Sequence, residues 1–281
     1  MITECCEANE HRSVESRPPM NGSVKKFIAA VVLTLGLSGC DHVESVKVFF
    51  PTAFGMDELT TNLYVDKTMP AGERARLQLV VDQARTRVTE FFGSLNTSPV
   101  ILACATETCF SAFGGRGPRA RSFGESRMLL SPRGTTLPII SHEWTHLELH
   151  YRIGLWRMRT VPTWFDEGLA VVVSQEPTHS ERQWEEIQRL HLPFPQLTEL
   201  LSTNDWITAV HTYGDDRDSN NPSTGRFAVY STAGHEVRRW NAIAGRDGLL
   251  GMIAAVRGGA TFSDAYAKVQ HQVLPSPEAN K

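Results

Sequence analysis

The sequence predicts an α+β fold, with a small mixed-sheet N-terminal lobe followed by a mainly helical C-terminal lobe. Three observations carry this expectation. The runs with strand character are short and all fall before residue 131. One segment among them, 72–92, has helical periodicity instead, so helix and strand share the first lobe. After Pro138, helix-compatible segments follow one another almost to the C-terminus. The 281 residues have 41% hydrophobic content, enough to bury a real core. A net charge of −3 carries no nucleic-acid or membrane-surface signature.

Residues 62–65 (NLYV) alternate like a strand. Within 72–92, Leu77, Val80, Val81, Ala84, Val88 and Phe91 fall at helical spacing, and Gly93 supplies the stop. Residues 100–103 (VILA) read as a buried strand and 127–130 (RMLL) as another. Between them the glycine- and arginine-rich stretch 114–124 (GGRGPRARSFG) is expected to be a loop. A helix should run from near Pro138, which suits a first turn, to about Gly154. A second begins at Pro162, and further helical segments are expected over 180–191, 195–202, 226–243, 246–257 and 262–272. Residues 212–226 (TYGDDRDSNNPSTGR) are rich in turn formers and read as a mobile loop. The lobes would divide at about residue 135 within a single domain, 40–281.

The N-terminus has the layout of an export signal. Lys25 and Lys26 precede an eleven-residue apolar run, 27–37 (FIAAVVLTLGL), which is too short to span a bilayer. It ends in Leu37-Ser38-Gly39-Cys40, which resembles a bacterial lipobox, so Cys40 is expected to carry a lipid anchor and residues 1–39 to be removed. Translation is expected to start at Met20, because the glutamates upstream of it do not suit a signal. Asp41 resembles the retention residue of inner-membrane lipoproteins. Together these predict a periplasmic protein held at a membrane. Of the remaining cysteines, Cys5 and Cys6 lie upstream, while Cys104 and Cys109 are spaced C-x4-C. A disulfide is the leading reading in an oxidising compartment. Two zinc thiolates would lack a second cysteine pair, and two free thiols are the plain alternative.

Chemistry enters at Ser141-His142-Glu143-Trp144-Thr145-His146. Four residues apart on a helix, His142 and His146 are separated by about 40° and point the same way. Two neutral imidazoles so placed can reach one zinc ion, and Glu143 beside them can act as a general base without ligating it. A catalytic zinc needs a third protein ligand and an open position. A histidine six residues after His146 would be one solution, but position 152 is arginine. Glu167 in Trp164-Phe165-Asp166-Glu167-Gly168-Leu169-Ala170, twenty-one residues after His146, opens the next predicted helix and is the candidate.

This H-E-x-x-H followed by W-x-x-E-G-x-A resembles the gluzincin zinc metallopeptidases, and in particular the catalytic domain of the zinc aminopeptidases. The resemblance implies a zincin-like fold, one Zn2+ held by His142, His146 and Glu167, and a peptide or protein substrate. It also implies that Tyr230, in Val229-Tyr230-Ser231-Thr232-Ala233-Gly234, stabilises the oxyanion beside the base Glu143. The gap between His146 and Glu167 is slightly longer than in the aminopeptidases. Their N-terminus-binding motif has no counterpart upstream of His142, which argues for an endopeptidase.

Other residues have plainer readings. Asp166 either orients a ligand histidine or only complements the helix dipole. His150 is expected to pack near the site without ligating. Arg116, Arg119 and Arg121 either bind a substrate carboxylate or sit in a solvated loop. Trp144 and Trp164 are expected in the core, and His179, His191, His211, His235 and His271 at the surface or in packing. Two rival functions remain open at this stage. One is a binding or assembly module on the same fold, and the other is a zinc amidase acting on cell-wall material.

Overall fold

The computed structural model describes residues 46–117, 119–123, 126–213 and 225–273. The expected signal, Cys40 with Asp41, and nearly all of the 212–226 loop lie outside them. Five strands form one mixed sheet, β1 (Met56–Thr60), β2 (Leu63–Asp66), β3 (Val100–Ala103), β4 (Ala120–Phe123) and β5 (Arg127–Leu130). Their order is β1-β2-β3-β5-β4. β2, β3 and β5 are parallel neighbours, while β1 and β4 run antiparallel at the two edges. Parallel strands need a crossover between them, and helix α1 (Ala71–Phe92) supplies it from β2 to β3. A left-handed Gly93 ends that helix, with φ of 80°.

Strand alternation gives the sheet two buried faces. Leu63, Val65, Ile101, Ala103, Met128 and Leu130 join the main core with Leu77, Ala84 and Val88 of α1. Leu102 and Leu129, one residue out of step, face a second cluster with Val48, Met56, Phe110 and Phe113. Phe110 belongs to the short helix α2 (Glu107–Ala112), which the sequence pattern did not suggest. β4 is the larger surprise. It lies inside the stretch expected to be a loop, because its four residues carry no apolar alternation and Arg121 and Ser122 interrupt any apolar pattern.

The helical lobe is close to expectation. It consists of α3 (Leu137–Ile153), the single turn α4 (Leu155–Met158), α5 (Thr163–Ser174), α6 (Glu181–Arg189), α7 (Thr203–Tyr213), α8 (Gly225–Arg257) and α9 (Phe262–Val273). The two helical segments expected over 226–257 are the two parts of α8, which meet at a kink at Gly245, whose φ of 61° and ψ of −173° are not helical. The segment 195–202 is not a helix. It holds one 3₁₀ turn, Leu197–Glu199, and then extends so that the carbonyls of Leu200 and Leu201 accept the Trp164 and Thr163 N–H groups. Those amides open α5 and have no partner within it, so the segment serves as a cap. The true helix begins later, at Thr203.

Three features hold the helices that matter most. Glu148 of α3 is fully buried and accepts from the backbone N–H groups of Asn96 and Thr97, from the Thr97 hydroxyl and from Arg152. This ties α3 to the approach to β3. Gly168 of α5 faces α8 so closely that a Cβ there would lie 2.5 Å from the Ala233 carbonyl oxygen. Gly234 returns the contact, since its Cβ would lie 2.6 Å from Val171. Small residues on both helices therefore set how near α8 comes to α5.

Candidate metal centre

Two helices build the centre. α3 presents His142 and His146 one turn apart, with ring centroids 4.8 Å from each other. α5 packs on α3 and starts at Thr163, capped by Pro162, which puts Glu167 just past its first turn, within reach of both rings. The ligand atoms of His142, His146 and Glu167 all lie within 4.8 Å of one another, a group that could hold a metal ion. Glu167 Oε2 is 3.3 Å from His142 Nε2 and 3.7 Å from His146 Nε2. Donors about 2.0–2.1 Å from a shared tetrahedral centre would stand roughly 3.3–3.5 Å apart, so these separations fit. That same oxygen is buried and has no partner beyond these two imidazoles. A buried carboxylate oxygen left this way costs free energy unless a cation completes it.

The surrounding residues fix the ligands in orientation. Asp166 bridges two rings, with Oδ1 2.7 Å from His146 Nδ1 and Oδ2 2.9 Å from His150 Nε2. With Nδ1 bonded to Asp166, the ring turns Nε2 towards Glu167. His150 shares that carboxylate, and His146, His150 and Asp166 form a second group close enough together to hold a metal ion. Burial by itself would depress the His146 pKa, but Asp166 and Glu167 outweigh it and push it up to about 10. Burial likewise opposes the ionisation of both acids, and the neighbouring imidazoles overcome it, holding Asp166 and Glu167 below the usual carboxylate range. The site therefore holds two ionised carboxylates beside its imidazoles.

Glu143, next to His142 on α3, accepts a 2.6 Å hydrogen bond from the hydroxyl of Ser122 on the edge strand β4. Tyr230 reaches the same region from α8, its ring centroid 6.3 Å from that of His142. It stacks on His179 at 4.8 Å and meets the edge of Trp206 at 4.9 Å. His179 is buried at 5% exposure, with Nδ1 3.4 Å from Glu176. Burial, together with the charges of His142 and Arg119, lowers its pKa to about 4, so the imidazole is neutral near pH 7. Glu176 is held below its usual range, since burial opposes its ionisation but the bond and charge of Arg119 outweigh that cost.

All five residues singled out by motif therefore meet at one place. Ser122, Glu176, His179 and Trp206 are there as well, and no motif announced them. Ser122 sits on β4, the strand without apolar alternation. Glu176 and His179 lie on a 3₁₀ turn after α5, where only their spacing of three residues hinted at a pair. Trp144 and Trp164 are in the core, His191 and His211 are exposed, and His235 stacks on Trp184. Cys104 and Cys109 are joined as a disulfide on the second-cluster side of the sheet, so neither offers a thiolate to a metal. Comparisons of the chain with family models, with curated proteins and with solved structures each return no match.

Proposed function

We propose that the chain is a zinc-dependent peptidase of gluzincin type, cutting within peptide or protein substrates. The observation that carries the reading is the convergence of two imidazoles on a buried Glu167 oxygen that has no other partner, with Glu143 set beside the group. Two histidines and one carboxylate match the donor set of catalytic zinc, which keeps a position open. Zinc bound there would supply a Lewis acid to polarise the scissile carbonyl and to make water acidic enough to ionise near neutral pH.

The chain's own residues supply the remaining steps. Glu143 takes the proton from the attacking water and returns it to the leaving amine. Ser122, donating to the Glu143 carboxylate, holds that side chain in position. Tyr230, supported by His179 and Trp206, donates to the oxygen that gains charge as the carbonyl carbon becomes tetrahedral. Asp166 orients the His146 ring. With Cys40 as a lipid anchor, the enzyme would work at the outer face of the bacterial inner membrane, on substrates within reach of that surface.

Glu143→Gln separates the roles. Zinc content should stay near one per chain while peptide turnover falls by at least about a thousandfold, as expected when a base acting in the transition state is removed. Full activity in that variant would rule out the assignment.

A further inference from the structure

The three arginines of the 114–124 stretch do not share one environment. Arg121 donates to the Gly114 carbonyl at 2.7 Å and lies over the Phe123 ring, bracing its own strand. Arg119 instead pairs with Glu176 at 2.7 Å, and the two side chains differ in exposure, 43% for the arginine and 8% for the glutamate. An arginine at the surface ordinarily gains little from an ion pair, because its flexible chain loses rotamer freedom. Here the carboxylate end is anchored inside the protein. Glu176 lies two residues after α5, and the turn that follows it is pinned where Arg238 donates to the His179 carbonyl. The guanidinium is held in place with one N–H committed and nearly half of its side chain open to solvent.

Two routes place this group at the metal centre. Through side chains, Arg119 touches Glu176, Glu176 faces His179 at 3.4 Å, His179 stacks on Tyr230, and Tyr230 lies beside His142. Along the backbone, Arg119 comes three residues before Ser122, the residue bonded to Glu143. Three residues of extended chain cover roughly 10 Å. β4 is an edge strand, and among the described residues no strand pairs with its outer side.

We propose that Arg119 sets specificity at this site by recognising a carboxylate on the substrate, roughly two to four residues from the bond that is cut. A planar guanidinium donates two parallel hydrogen bonds to a carboxylate and has no equivalent fit to a neutral amide. Glu176 makes the site by holding that fork still before substrate arrives. The carboxylate can come from an aspartate or glutamate side chain or from a free C-terminus. The inference rests on the peptidase reading.

The test uses the full-length, zinc-loaded chain and internally quenched peptides that differ only by Glu against Gln at one position, scanned along both sides of a cleavable bond. A second set differs only by a C-terminal acid against an amide. Wild type should prefer the acid by about tenfold or more in kcat/KM at one position. A preference at an internal position assigns a side chain, and one confined to the terminus assigns the C-terminal carboxylate. In Arg119→Met the ratio should fall to near one, and in Arg119→Lys it should fall partway, since a point charge replaces the fork. The same peptide pairs are measured for binding to Glu143→Gln by fluorescence anisotropy. Acid-selective binding with no turnover of any peptide by wild type would sink the peptidase reading while Arg119 keeps its role. Equal treatment of acid and amide in both assays, or a preference that survives Arg119→Met, overturns the proposal.

Discussion

At the scale of single residues, much of the centre's electrostatics turns on Asp166. It adjoins Glu167 in sequence, yet its two oxygens serve the imidazoles of His146 and His150. Partners of this kind typically change metal affinity by about 10–100-fold when removed. Asp166→Asn should therefore weaken zinc binding by that factor in a chelator competition, and unchanged affinity would show that His146 needs no orienting partner. His179 makes a second residue-scale prediction. Its folded pKa of about 4 lies below the ordinary value near 6.5, so between those limits the unfolded chain binds the extra proton. Stability must then fall as pH drops from about 6.5 to about 4, by up to ~3 kcal/mol from this group, and the contribution is intact above that window. His179→Phe keeps an aromatic ring against Tyr230 and cannot titrate. Urea unfolding across that range should show a shallower acid slope in the variant, and an identical slope would contradict a neutral His179.

At the scale of elements, the site depends on how α5 meets α8. Gly168 follows the candidate ligand directly, and the absence of a side chain lets the Ala233 carbonyl approach. Gly168→Ala must push the helices apart or strain them, at a cost of about 1–3 kcal/mol. Because Tyr230 lies one turn before Ala233 on α8, turnover should fall more than zinc affinity does. A variant with wild-type stability by thermal unfolding would show that the contact is not tight. Elements also mark where the sequence was readable. The 72–92 periodicity and the glycines at 93 and 154 placed α1 and α3 to within about two residues, because local signals governed both ends. β4 and α7 were not readable. β4 owes its state to pairing with β5 and is rich in polar side chains, while α7 begins only after residues 200–201 have been drawn off to cap α5. Both outcomes are tertiary, and no window of sequence contains them.

At the scale of the whole molecule, the candidate metal group was the most legible feature and its supports were the least. His142, His146 and Glu167 announce themselves because a metal demands particular residue types at particular helical spacings. Ser122, Glu176 and His179 do not, since hydrogen bonds and ring stacking accept many residue types and depend on where distant segments fold. One main core extends from Leu63 on the sheet to Val269 on α9, so the two lobes expected from sequence pack as a continuous body around α3. That arrangement brings the edge strand β4, the helices that carry His142, His146 and Glu167, and the Tyr230 helix to one site.

The central claim is that these elements hold a zinc ion, and elemental analysis combined with zinc X-ray absorption on the purified full-length chain tests it most directly. The account predicts one zinc per chain, bound by two imidazole nitrogens and oxygen at about 2.0–2.2 Å, and lost in Glu167→Ala. A chain that binds no zinc, or zinc coordinated by sulfur, would contradict it.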